Sequence, residues 1–119
     1  MLPFERFEAR RACHRLALAV YTLTAAFPSA ERFGLTSQAR RAAYSAAANV
    51  AEGSAKRGAR EFRRYLDITL GSESEVGYAL RLARDLKLVS EEQVAVVDGL
   101  RDQAGKLTWQ LYRSLGSRV

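Results

Sequence analysis

The chain has 119 residues, 48% hydrophobic and 27% charged, with a formal net charge of +6, the make-up of one globular domain spanning residues 1–119 and not of a disordered segment. Its single cysteine excludes an internal disulfide framework, fits a reducing cytoplasm and, beside a single histidine, leaves no Cys/His metal cluster to build. No apolar run approaches the ~20 residues of a membrane span, and the opening MLPFERFEARR has no apolar segment, so no secretory signal is expected. Helical periodicity then runs through almost the whole sequence, and strand signals are absent.

The first helix is predicted over about residues 4–26, with Cys13, Leu16, Ala17, Val20, Tyr21 and Thr24 on one face. Pro28 cannot continue it. PSAERFGLT reads as a connector, with Gly34 as a helix-terminating residue and Thr36 or Ser37 as the next cap. A second helix, about 37–54, is rich in alanine, the residue with the best helix propensity and the one that lets backbones approach. A third, about 58–86, carries Phe62, Tyr65, Leu66, Thr69, Val76, Ala79, Leu80, Ala83 and Leu86 on one stripe. Ser90 with Gln93 forms a capping box. The fourth helix, about 90–115, presents Val94, Val97, Ala104, Leu107, Leu111 and Leu115. Four long amphipathic helices with short connections predict an all-α, antiparallel up-down four-helix bundle.

On the second helix, Ala39, Ala42, Ala43, Ala46, Val50 and Gly53 share an apolar face, while Arg41, Ser45, Asn49, Glu52 and Lys56 make a polar seam beside it. We expect this seam to be structural: Asn49 and Glu52 should pair with Arg40, Arg41 or the segment GSESE (71–75), because partly buried charge needs a partner. Gly53 should permit close helix contact. With Ser72 and Glu75 from GSESE, the expected structural or interface network is Arg41, Ser45, Asn49, Glu52, Gly53, Ser72 and Glu75.

The basic excess lies wholly in the first half: residues 1–65 hold 12 Lys and Arg against 5 Asp and Glu. Continued as one helix, Lys56, Arg57, Arg60, Arg63 and Arg64 share a face, where like charges repel by a few tenths of a kcal/mol per pair. An external anion is the natural counterpart of such a face. Arg40 and Arg41, and Arg6, Arg10, Arg11 and Arg15 on the first helix, would extend it. Cys13 and His14 point ~100° apart on a helix and make no nucleophile–base pair. Glu73 and Glu75 diverge for the same reason, and Trp109 and Tyr112 read as core or interface anchors. Nothing here assembles a catalytic set, so no enzyme activity, cofactor or metal is expected.

The segment from Phe27 to Leu86 also resembles a known family. FP (27–28), GLTSQARRA (34–42), Ser45, NVAEG (49–53), EF (61–62) and Gly71, Ser72 and Glu75 are similar, in order and spacing, to the four-helix-bundle proteins encoded within intervening sequences of bacterial 23S ribosomal RNA genes. The resemblance implies a compact bundle, assembly into homopentameric rings, and kinship with the accessory variability determinants of diversity-generating retroelements, which bind nucleic acid and a reverse transcriptase. It brings no enzyme activity with it. The expected function is therefore a homo-oligomeric module that binds nucleic acid, RNA ahead of DNA, through phosphate contacts from Arg40, Arg41, Lys56, Arg57, Arg60, Arg63 and Arg64. The alternative is a protein-interaction scaffold that docks an acidic partner or a reverse transcriptase.

Overall fold

A computed structural model describes residues 3–116. Four helices make up almost all of it: α1 (Pro3–Thr24), α2 (Leu35–Ser54), α3 (Ala59–Asp85) and α4 (Glu91–Gly116), with a single 3-10 turn, Ser29–Glu31, between the first two. Among the described residues there is no strand, and no helix is long and apolar enough to cross a membrane. The helices pack in a cycle, α1 against α2, α2 against α3, α3 against α4 and α4 back against α1. One core lies at the centre of this cycle, in which Leu16, Leu66 and Leu111 are fully buried. Each such leucine contributes roughly 1.5–3 kcal/mol of hydrophobic free energy.

The helix ends explain where the chain turns. The N-terminus of α2 departs from the expected Thr36 or Ser37 cap: the helix starts at Leu35 behind Gly34, which offers no side chain. Glu31 from the 3-10 turn supplies the cap instead, its Oε1 accepting a hydrogen bond from the Leu35 N–H at 3.1 Å. A carboxylate there also meets the positive end of the helix dipole. At α4 the capping box forms as the sequence predicts, Ser90 Oγ accepting from Gln93 N–H at 3.1 Å and Gln93 Oε1 accepting from Ser90 N–H at 2.9 Å. Between α2 and α3, residues 55–58 form a turn, and Gly58 takes φ +83°, a conformation open to glycine. The turn falls in the gap expected between the second and third helices. It takes Lys56 and Arg57 off the helical face of Arg60, Arg63 and Arg64 that a continuous helix would have given them.

The apolar face read from α2 is the buried one: Ala39, Ala42, Ala43, Ala46, Val50 and Gly53. Tyr21 and Leu86, expected on buried stripes, are instead 45% and 53% exposed. Both sit at the edge of their stripes: Val20, Leu23 and Thr24 take the buried positions around Tyr21, and Ala83 takes the last buried position before Leu86.

Candidate nucleic-acid interface and the polar core

The small residues of α2 let α3 come close, and that closeness organises the polar seam. A methyl group at Gly53 would lie 2.8 Å from Tyr65 Cβ and 2.9 Å from Phe62 Cδ1, so any side chain there must push α3 away. Farther along, the Thr69 hydroxyl donates to the Ala46 carbonyl at 2.9 Å, and Ser72 donates to Ser45 at 2.9 Å. Of the expected network, Ser45, Ser72 and Gly53 therefore join the two helices. Asn49 does not reach across: its amide donates to the Ser45 carbonyl at 2.8 Å and to Ser45 Oγ at 3.2 Å, both on its own helix. Arg41, Glu52 and Glu75 are exposed and make no hydrogen bond or ion pair among the described residues. Within the chain they point to solvent, where an isolated charge costs little, and the seam charges are not paired between α2 and α3.

The basic residues separate into two groups. Arg40 and Arg41 sit near the start of α2, whereas Lys56 begins the turn that follows it, 15–16 residues later, which is ~23 Å along a helix axis. They do not extend one surface. Arg40 is also engaged within the fold: its Nε donates to Thr24 Oγ1 at 2.8 Å, its Nη2 to the Tyr21 carbonyl at 3.3 Å, and it stacks 4.7 Å above the Tyr21 ring. This guanidinium satisfies the C-terminal end of α1, which a cation suits.

The second group surrounds the α2–α3 turn. Arg57 and Arg60 are exposed, with no hydrogen bond or ion pair among the described residues. Lys56 and Arg64 lie 5.3 and 6.0 Å from the Tyr65 ring centre, and Arg64 also meets Glu61 at 3.5 Å. Arg63 is half-buried and lies 3.9 Å over the Tyr112 ring of α4, with its Nε unpartnered. Arg60, Arg63, Arg64 and Tyr112 line a shallow depression of ≈ 370 Å³ whose rim also carries Glu61 and Asp67. On α1, Arg6 stacks 5.1 Å over Phe62, and Arg10, Arg11 and His14 flank a depression floored by Ala47 and Ala51 of α2. Cations held over aromatic rings are pre-oriented, and their N–H groups directed away from the ring remain donors.

A polar cluster in the core escaped the sequence reading. Glu73 of α3 is 2% exposed. Its Oε2 lies 2.9 Å from Thr108 Oγ1 of α4 and 3.4 Å from Cys13 Sγ of α1. Its Oε1 has no partner and faces Gly105, 3.8 Å from where a methyl group would sit. Thr108 Oγ1 also lies 2.8 Å from the Ala104 carbonyl. One hydroxyl proton cannot serve both oxygens at full strength. The Thr108 hydroxyl thus divides its proton between Glu73 Oε2 and the Ala104 carbonyl, and the Cys13 thiol, a weak donor, adds the other hydrogen bond to Oε2. Burial pushes the Glu73 carboxyl above its ordinary range, against hydrogen bonds from Thr108 and Cys13 and the attraction of Arg101. Burial, and then the Glu73 charge, push the Cys13 thiol well up too, so it is no nucleophile.

The signal for this cluster was the period itself. The α3 stripe steps from Thr69 to Val76, and the skipped core positions, three and four residues on, are Ser72 and Glu73. Among the described residues no group of three or more His, Cys, Asp or Glu is placed to hold a metal ion.

Comparison with known proteins agrees with the fold. A crystal structure of a protein of unknown function from the S23 ribosomal protein family, from Bacteroides thetaiotaomicron VPI-5482, superposes with a TM-score of 0.85 at 19% identity, covering 92% of this chain and 98% of that one. No curated protein gave a significant match. The sequence profile of the 23S rRNA-intervening sequence proteins matches residues 5–110, and the chain belongs to that family.

Proposed function

We propose that the chain is a non-enzymatic, homo-oligomeric four-helix bundle, its helices running alternately up and down, that binds RNA through phosphate contacts with weak sequence specificity. The observation that carries the reading is the cluster around the α2–α3 turn, where Lys56, Arg57, Arg60 and Arg64 are exposed beside Arg63. Phosphate contacts from such side chains position a backbone without reading bases. RNA is favoured over DNA by the family's description, which ties it to a ribosomal RNA gene. The antiparallel order is supported by the pairing of Gly53 with Phe62, Ala46 with Thr69 and Ser45 with Ser72, which runs in opposite directions along the two helices. Association into a ring, a pentamer by resemblance, is supported by the exposed Phe7, Leu18, Tyr21 and Tyr44 of α1 and α2, apolar surface of the kind that a second copy covers.

The test is the binding of a fluorescently labelled structured RNA followed by anisotropy between 50 and 200 mM salt. Affinity should fall steeply, and reversing Arg57, Arg60 and Arg64 to Glu should lower the log–log slope by ~0.7–0.9 for each phosphate no longer neutralised. Arg63 is left intact, because its stack on Tyr112 supports the fold. Binding that ignores salt, or that survives the triple reversal, would sink the proposal.

A further inference from the structure

The depression at the α2–α3 turn continues into an aromatic ladder that phosphate binding does not need. Trp109 and Tyr112, one turn apart on α4, stack at 5.5 Å between ring centres with 12° between their planes. Tyr112 in turn carries the Arg63 guanidinium 3.9 Å from its ring centre. The order is thus cation, phenol, indole. The cationic end belongs to the basic depression, and the other end, Trp109, is 49% exposed. A half-exposed tryptophan already aligned parallel to a second ring is an unfinished stack. Its geometry suits one more planar group, and the neighbouring arginines suit that group's negative backbone.

We infer that the RNA seated on this surface is unpaired, with a base stacked on Trp109 and its flanking phosphates on Arg60 and Arg64. The inference rests on the phosphate-binding reading above and adds the class of RNA. A duplex hides its base faces inside its own stack and offers the protein its backbone and groove edges. Only a single-stranded segment, a loop or an end has a free face for the indole. Any of the four bases has such a face, so the stack adds affinity without adding sequence preference. The carboxylates of Glu61 and Asp67 at the rim oppose a phosphate entering there. Glu61 is already turned to Arg64 at 3.5 Å, and Asp67 lies one turn beyond Arg63 and Arg64 on α3.

Trp109 is the one tryptophan in the chain, so its emission reports this position alone. Two RNAs decide the matter: an unlabelled twelve-nucleotide oligouridine, which has no secondary structure, and a blunt twelve-base-pair RNA duplex. Oligouridine should quench the emission and the duplex should not. With labelled RNAs, Trp109→Leu should weaken oligouridine binding about tenfold, the scale of one base–aromatic stack. It should leave duplex affinity and the salt slope as they were, since no charge is removed. Trp109→Phe keeps a stacking face and should recover most of the loss, which separates stacking from a general disturbance of α4. Salt-dependent oligouridine binding with no quenching and no effect of Trp109→Leu overturns the stacking inference and leaves the phosphate reading standing. Failure of both RNAs to bind at 50 mM salt overturns both.

Discussion

Helix α3 carries polar groups on two of its sides, and the two are built on different terms. Toward α2, Thr69 and Ser72 are neutral hydroxyls, each donating to one acceptor at 2.9 Å. Toward α1 and α4, Glu73 is a carboxyl group with one oxygen in contact with Thr108 and Cys13 and the other without a partner. A neutral hydroxyl can be buried at small cost if it finds a carbonyl, whereas a carboxyl group can be buried cheaply only by holding its proton. The first side is a set of fasteners indifferent to pH, and the second is a site whose stability depends on proton concentration.

That difference can be broken most visibly at Glu73. A folded-state carboxyl held above its unfolded value, which is about 4.3, contributes stability that is complete below that pH and is lost as pH rises toward the folded value. Glu73→Gln keeps a neutral donor and acceptor at all pH values. Thermal melts should therefore find the variant and the parent alike near pH 4 and diverging upward, the variant ahead by on the order of several kcal/mol once the parent must bury a carboxylate. Parallel melting curves across that range would show that Glu73 is ionised in the fold. Thr108→Val preserves shape and removes the hydroxyl, and chemical denaturation should show a loss of about 1–3 kcal/mol, the cost of leaving a buried polar group unpartnered. The same loss should grow as pH rises. On the other side of the helix, Ser72→Ala removes one hydrogen bond to Ser45 and should cost about 0.5–1.5 kcal/mol, equally at every pH. A pH-dependent cost at Ser72 would erase the distinction between the two sides.

Local patterns were legible in the sequence. The α2 face from Ala39 to Gly53 and the Ser90–Gln93 capping box depend on spacing within one helix, and the structure repeats them. What depends on two helices was harder to read. Arg40 looked like a free cation because nothing in its own helix reveals Thr24, sixteen residues earlier, as its acceptor. The break between the second and third helices was legible, but where it aims Lys56 and Arg57 depends on the positive φ of Gly58, which spacing does not reveal. Glu73 was passed over for its charge, although its position in the α3 period marks it as core. Periodicity was the better guide there than residue type, because the partners that make a buried acid tolerable come from α1 and α4.

The cyclic packing of the helices has a consequence for how the chain closes. Cys13, Glu73 and Thr108 are separated by 60 and 35 residues in sequence, and α4 must pack against both α1 and α3 to bring them together. Without α4, Glu73 lacks the cover that Thr108 and Gly105 give it, and its carboxyl is open to water. Closing the cycle over it strengthens the carboxyl's hold on a proton, so completing the fold is coupled to proton binding.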